Sequence, residues 1–172
     1  MASPRGKAQV APLRAALLAD PVAFLSAEHA RQTVLLSHLE RIVRAPRARG
    51  ARALAAALFE WLTRDLPIHI ADEEASLYPR LQAHDSDGVL VQLRHEHQRD
   101  RVAVQAVVAG LRRVMAGVAP EPGFAEAAAA FVQGHRSHLA LEEAAVTPLA
   151  ERVLAPEVVA ALAAEMAARR GY

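Results

Sequence analysis

Six residues of this chain have the chemistry of metal ligands and a spacing that can bring them together: His29, His69, Glu73, His97, His138 and Glu142. In two places a histidine precedes a glutamate by four residues, His69 before Glu73 and His138 before Glu142. On a helix such residues stand ~40° apart around the axis, so each pair aims an imidazole and a carboxylate the same way. His29 and His97 each add one more imidazole. Four nitrogens with two carboxylates and no thiolate suit iron, manganese or zinc. Two carboxylates at related positions suit a pair of ions, because each can bridge. A lone histidine would read as a hydrogen-bonded core residue or a solvated one. Six ligand-type residues at repeated spacings do not.

The spacing is an internal repeat. Glu28-His29 corresponds to Glu96-His97, and the segment from His69 to Pro79 corresponds to that from His138 to Pro148, at offsets of 68 and 69 residues. Both segments run His-x-x-x-Glu-Glu-x-x-x-x-Pro. A repeat of two helices with ligand-type residues at equal places predicts a pseudo-twofold site between the halves. Ferritin-like di-iron bundles use Glu-x-x-His and an excess of carboxylates. Here the order is reversed and histidine is in excess.

The elements that must hold these residues are helices. Asp20-Pro21 is an N-cap followed by proline at the first helical position, and it opens a helix to about Arg44. A second helix covers about 48–83, with Pro67 expected to kink or divide it. The turn around Asp85–Gly88 leads into a third helix at about 87–117. A linker with Pro120 and Pro122 precedes a fourth at about 124–154, and a last helix starts at Pro156. Short connections between long helices predict an all-α, up-down-up-down antiparallel four-helix bundle with a short extra C-terminal helix. The expected division is 1–19 as a tail with a short helix, 20–154 as the bundle and 155–172 as the closing helix.

Composition narrows the function. Twenty basic residues against nineteen acidic ones leave a net charge of +1, which offers no electrostatic footprint for nucleic acid. Cysteine is absent, which excludes disulfides, thiolate zinc sites and iron–sulfur clusters. No apolar run reaches the length of a membrane span, and the Val10–Leu18 stretch is too short and interrupted for a secretory segment. The expectation is a soluble, cytoplasmic protein, monomeric or homodimeric, without nucleic-acid or membrane partners.

The pattern His…His-x-x-x-Glu…His…His-x-x-x-Glu, with its trailing Glu-Glu-x-x-x-x-Pro segments, resembles the hemerythrin-like (HHE) cation-binding family over roughly residues 20–154. The resemblance implies that the six residues ligate two iron ions with an oxo or hydroxo bridge, manganese or zinc being alternatives, and that Glu73 and Glu142 bridge them. It implies binding or sensing of dioxygen, nitric oxide, peroxide or redox state. Oxidase or peroxidase turnover and iron handling are the alternatives that the same ligands would serve. Members that repair iron–sulfur clusters often carry an N-terminal cysteine motif, which this chain lacks. Six protein ligands and a bridging oxygen fill about ten of twelve positions on two octahedral ions, leaving about two open. Oxygen carriers of the family have a fifth histidine, and this chain has no evident counterpart on its third helix.

Other residues carry weaker expectations. His135 lies ~60° from His138 on the helical wheel, and a hydrogen-bonding role is expected for it over ligation. His38 and His95 should face away from the site, and His84 should sit at a helix end. Glu74 and Glu143 read as surface groups or as supports behind the ligands. Tyr78 reads as core, with a hydroxyl able to reach the pocket, and Trp61 and Phe59 read as core or interface. The closing helix is amphipathic enough to pack on the bundle or on a second subunit.

Overall fold

The structure is a computed structural model that describes residues 11–172; the segment expected to form the start of an N-terminal tail, 1–10, lies outside the described residues. Among the described residues there is no strand. A 3₁₀ turn at Ala15–Ala19 precedes helix α1, Pro21–Arg44, whose first turn is capped by Asp20 accepting from the Ala23 amide at 3.0 Å. Helix α2 runs over 51–81, α3 over Val89–Met115, α4 over 124–153 and α5 over Pro156–Arg169. The Asp85 carboxylate accepts from the amides of Val89 and Leu90 and so starts α3. Gly123 starts α4 with φ of 95°, a left-handed conformation that glycine enters without a Cβ clash.

Helices α2 and α4 are not uniform α-helices. They contain π-turns at Trp61–Asp65, Glu73–Leu77 and Glu142–Val146, and a proline (Pro67, Pro79 or Pro148) lies two residues beyond each. The amides of Leu66, Tyr78 and Thr147 bond back five residues, to the carbonyls of Trp61, Glu73 and Glu142. Proline has no N–H and its ring collides with the carbonyl four residues earlier. Widening the preceding turn relieves that collision, so the helix continues where an uninterrupted α-helix would break. Pro67 is thus accommodated by a π-turn within a continuous α2, where a kink or a division was expected, and two of the three π-turns begin on the glutamates of the repeat.

Each long helix packs on its chain neighbour, and α1 packs on α4, which closes a ring of four. The apolar side chains separate into two clusters. One holds Leu35, Leu39, Leu58, Trp61, Leu111 and Phe131; the other holds Phe24, Leu77, Tyr78, Leu93, Val146 and Leu162. Along α1 and α3 the chain passes from the second cluster to the first, and along α2 and α4 from the first to the second. The six singled-out residues lie in the polar layer between them. Fully burying each Leu or Phe side chain contributes on the order of 1.5–3 kcal/mol, so two such clusters can hold a layer of charges out of water. Helix α3 comes so close to the start of α4 that a Cβ on Gly110 would lie 2.0 Å from the Phe124 ring.

Helix α5 packs on the bundle. Leu162 and Met166 enter the second cluster, while Arg169 and Arg170 pair with the fully buried Asp72 at 2.8 and 2.6 Å. Among the described residues no helix is long and apolar enough to cross a membrane.

Candidate metal centre

Each helix of the ring delivers its share of the site from its middle. Helix α1 brings His29, α2 brings His69 and Glu73, α3 brings His97, and α4 brings His138 and Glu142; none of the six is more than 5% exposed. They form two groups with ligand atoms within 4.8 Å of one another, His29 with His69 and His97 with His138, both groups sharing Glu73 and Glu142. The arrangement agrees with the pseudo-twofold expectation, one histidine pair on each side of two central carboxylates.

The ring nitrogens are sorted by direction. Every Nε2 turns inward: His69 Nε2 lies 2.8 Å from Glu73 Oε1, His29 Nε2 lies 3.3 Å from Glu142 Oε2, and His97 and His138 lie 3.4 and 3.3 Å from Glu73 Oε2 and Glu142 Oε2. Three of the Nδ1 atoms meet a carboxylate on the outside. His29 Nδ1 is 2.6 Å from Glu143, His97 Nδ1 is 2.8 Å from Glu74, and His138 Nδ1 is 3.0 Å from Glu96. His69 Nδ1 lies 3.9 Å from Glu28, whose other oxygen is 3.6 Å from Arg31. A carboxylate behind a histidine fixes the tautomer with Nδ1 protonated and leaves the Nε2 lone pair facing inward. These three supports and Glu28, which makes no hydrogen bond to the unpartnered His69 Nδ1, are themselves two repeat pairs, Glu28 with Glu96 and Glu74 with Glu143. Each reaches a histidine on a different helix.

Whether these residues suit a cation is tested by what they lack. The Nε2 atoms of His69 and His97 and the Oε2 atoms of Glu73 and Glu142 are buried without a hydrogen-bond partner. An unpaired buried polar atom costs on the order of 1–3 kcal/mol, and these four converge on one small volume. A cation accepts all of them at once. The protein's own charges respond in the same sense. Burial opposes the charged form of His29, but the Glu73 hydrogen bond and the charges of Glu142 and Glu73 outweigh it and raise its pKa to about 9. His138 behaves alike: burial is outweighed by its contacts with Glu142, the charge of Glu73 and the bond to Glu96, to about 9. For Glu73 burial pulls upward, yet the charge of the nearby His69, the hydrogen bond to His29 and the charge of His29 hold it well below the usual range. The centre demands positive charge.

His135 stands outside both groups. Its Nε2 is 2.6 Å from the Gln32 side-chain amide and its Nδ1 is 3.1 Å from Asp100. Burial lowers its pKa, so it is held neutral, donating from Nδ1 to Asp100. Its Nε2 then needs a donor; the structure sets Gln32 Oε1 there and leaves the Gln32 amide nitrogen buried without a partner, and exchanging the two by a flip about the last torsion would satisfy both. Gln32 and Asp100 occupy matching places in the repeat, each three residues after its ligand-type histidine. His95 is exposed and His38 contacts Arg41, as their wheel positions imply, and His84 is exposed at the end of the turn that closes α2. Trp61 is buried against Phe131 and His135, while Phe59, half-buried, carries Arg112 over its ring. Tyr78 is fully buried in the second apolar cluster, and its hydroxyl donates to Glu142 Oε1. Sequence reasoning therefore placed its ring correctly and understated its hydroxyl.

No curated protein matches the chain closely enough to be a relative. The hemerythrin HHE cation binding domain matches residues 20–150, the span that contains all six residues and every support behind them. With the two histidine pairs and their shared carboxylates, that match over most of the chain shows that this protein belongs to the hemerythrin HHE cation-binding domain family.

Proposed function

We propose that this protein is a cytoplasmic, non-haem di-iron protein that binds or senses dioxygen, nitric oxide or redox state. In this reading His29 and His69 hold one ion, His97 and His138 hold the other, and Glu73 and Glu142 bridge them within an up-down-up-down antiparallel four-helix bundle. The observation that carries it is the pair of buried histidine groups sharing two carboxylates, with four buried ligand atoms lacking any other partner. The alternating order of the two apolar clusters along successive helices supports the bundle topology. Iron is preferred here on the family resemblance and not on donor type, because two histidines and two shared carboxylates per ion suit iron, manganese or zinc. When bound, such a pair of ions supplies open coordination positions and one-electron redox chemistry. The protein's part is to orient the imidazoles through Glu143, Glu74 and Glu96, to exclude bulk water by the two apolar clusters, and to keep the charge balance of the layer. Monomer or homodimer serves equally, since every residue of the site comes from one chain.

A second reading, an oxidase or peroxidase, is favoured by one observation: a buried phenol, Tyr78, donates a hydrogen bond to a central carboxylate. Metal analysis and the optical spectrum of air-exposed protein test the first reading. About two iron ions per chain with near-ultraviolet charge-transfer bands are expected, both lost on His69→Ala. Sub-stoichiometric metal, or metal retained in full by His69→Ala, would refute it. Turnover of peroxide with a reducing substrate, lost on Tyr78→Phe, would favour the second.

A further inference from the structure

The two central carboxylates are built into a pseudo-symmetric layer but are used differently. Glu73 turns both oxygens inward: Oε1 lies 2.8 Å from His69 Nε2 and 3.4 Å from His29 Nε2, and Oε2 lies 3.4 Å from His97 Nε2. Glu142 turns only Oε2 inward, 3.3 Å from His29 Nε2 and 3.3 Å from His138 Nε2. Its Oε1 accepts the Tyr78 hydroxyl. The repeat counterpart of Tyr78 is Thr147, and Glu73 Oε2 has no hydrogen-bond partner. The asymmetry therefore comes from one residue.

Tyr78 is well placed to hold that bond. It is fully buried, and its ring lies 6.3 Å from that of His97 with 4° between the planes. The Arg94 guanidinium lies 5.8 Å from the Tyr78 ring centroid. The π-turn that begins at Glu73 ends directly before Tyr78, so the chain that carries one central carboxylate also carries the residue that restrains the other. Rotating away would leave a buried hydroxyl unpaired, at a cost on the order of 1–3 kcal/mol.

We propose that Tyr78 is a positioning residue that withholds one oxygen of Glu142 from the metal pair and so keeps a coordination position open for a small exogenous ligand. The inference rests on the di-metal reading above. Without the hydroxyl, Glu142 Oε1 is free to turn inward as an extra donor, which satisfies the ions more fully and competes with any incoming ligand. Tyr78 thus raises the reactivity of the centre at the expense of its metal affinity, and it does so in one half of the repeat alone.

The test compares the parent with Tyr78→Phe, each loaded anaerobically with Co(II), whose visible absorption weakens as coordination number rises, and titrated with azide as a small anionic probe. Both proteins should take up two Co(II) per chain, as the two buried groups imply. In Tyr78→Phe the visible bands should weaken, and azide should bind at least ~10-fold less tightly, a change of about 1.4 kcal/mol. Unchanged bands and azide affinity in a variant that binds both ions would overturn the role of Tyr78 and leave the di-metal reading intact. A parent that takes up no Co(II), or one in which His69→Ala takes up as much, overturns the di-metal reading and this inference together. Proton NMR of the diamagnetic Zn(II)-loaded parent gives a second readout that needs no variant to fold. A slowly exchanging, downfield tyrosine hydroxyl proton with contacts to the His97 ring is expected, and its absence would also count against the proposal.

Discussion

Glu143 Oε1 lies 2.6 Å from His29 Nδ1, although the two residues are 114 positions apart and Glu143 is 42% exposed. The glutamate beside the Glu142 carboxylate therefore holds the imidazole that the first helix supplies, and Glu74 does the same for His97 at 2.8 Å. Removing such a support commonly costs 10–100-fold in metal affinity, because the imidazole loses its fixed tautomer and orientation. Glu143→Ala should weaken binding of one ion by about tenfold, read by competition with a chromophoric chelator, while the helical circular dichroism stays unchanged. Equal affinity in parent and variant would show that His29 is oriented by packing alone.

Proton competition gives the centre a definite pH dependence. His29 and His138 have folded pKa values raised to about 9 from an ordinary 6.5. Their contribution to the stability of metal-stripped protein is therefore fully present below pH 6.5 and is lost as pH rises through about 9. Metal binding runs the other way, because each ion must displace these protons. Added Mn(II) should raise the melting temperature at every pH, and the increment should grow between about pH 6.5 and 9. Thermal scans of chelator-stripped and Mn(II)-loaded protein across that window check it. A constant or shrinking increment would mean that the histidines are already neutral when metal arrives.

Much of this site was legible in the sequence because its chemistry is repeated. Offsets of 68 and 69 residues join six ligand-type side chains, and the structure brings all six together. Helix starts were legible at Asp20-Pro21, Gly123 and Pro156, where capping and proline rules act locally. The π-turns were not, because a proline inside a helical pattern signals strain without saying whether the chain kinks, breaks or widens to relieve it. The supports were only partly legible. Glu74 and Glu143 lie ~140° from the ligand histidines of their own helices on the wheel, and their partners stand on the neighbouring helix. Their pairing in the repeat, at 69 residues beside the 68 of Glu28 and Glu96, was the signal that could have grouped them with the site. Nothing local in Asp72 or in Arg169-Arg170 announces that they meet.

That meeting predicts a role for the closing helix. The Asp72 carboxylate is fully buried directly before Glu73 and is paired with Arg169 and Arg170. One turn on, Ser76 donates to Glu165 at 2.5 Å, and Arg80 holds the same glutamate at 2.7 Å. Helix α5 therefore clamps the π-turn that carries a central carboxylate. Replacing both Arg169 and Arg170 by alanine strips Asp72 of its counter-charges and should cost on the order of 3–5 kcal/mol in urea unfolding. Arg170→Ala alone should cost less, because Arg169 remains. Adding Asp72→Asn to the double variant should recover part of the loss, since the uncompensated charge is gone. A double variant as stable as the parent would show that α5 is held by Leu162 and Met166 alone.

The last prediction concerns His135, the one buried histidine near the centre that is not grouped with either set of ligand atoms. Its ring lies 5.6 Å from that of His138 and nearly parallel to it, so proximity alone would allow it to become a fifth nitrogen ligand. Both of its nitrogens are already engaged, however, by Gln32 and by Asp100. Becoming a ligand would require it to abandon one of them and leave a buried polar group unpaired. The repeat offers the natural control, because the equivalent place is held by Leu66, itself buried beside Trp61 in the first apolar cluster. His135→Leu should therefore keep the metal stoichiometry and optical spectrum of the parent. It should lower stability by about 1–3 kcal/mol, the cost of leaving Gln32 and Asp100 without their shared partner. Asp100, which is 18% exposed, can recover a hydrogen bond from water, so the lower end of that range is expected. Metal analysis and urea unfolding of the same preparation separate the outcomes. Loss of one ion per chain in His135→Leu would make His135 a ligand, saturate one side of the pair, and replace the symmetric donor set with the asymmetric one of an oxygen carrier.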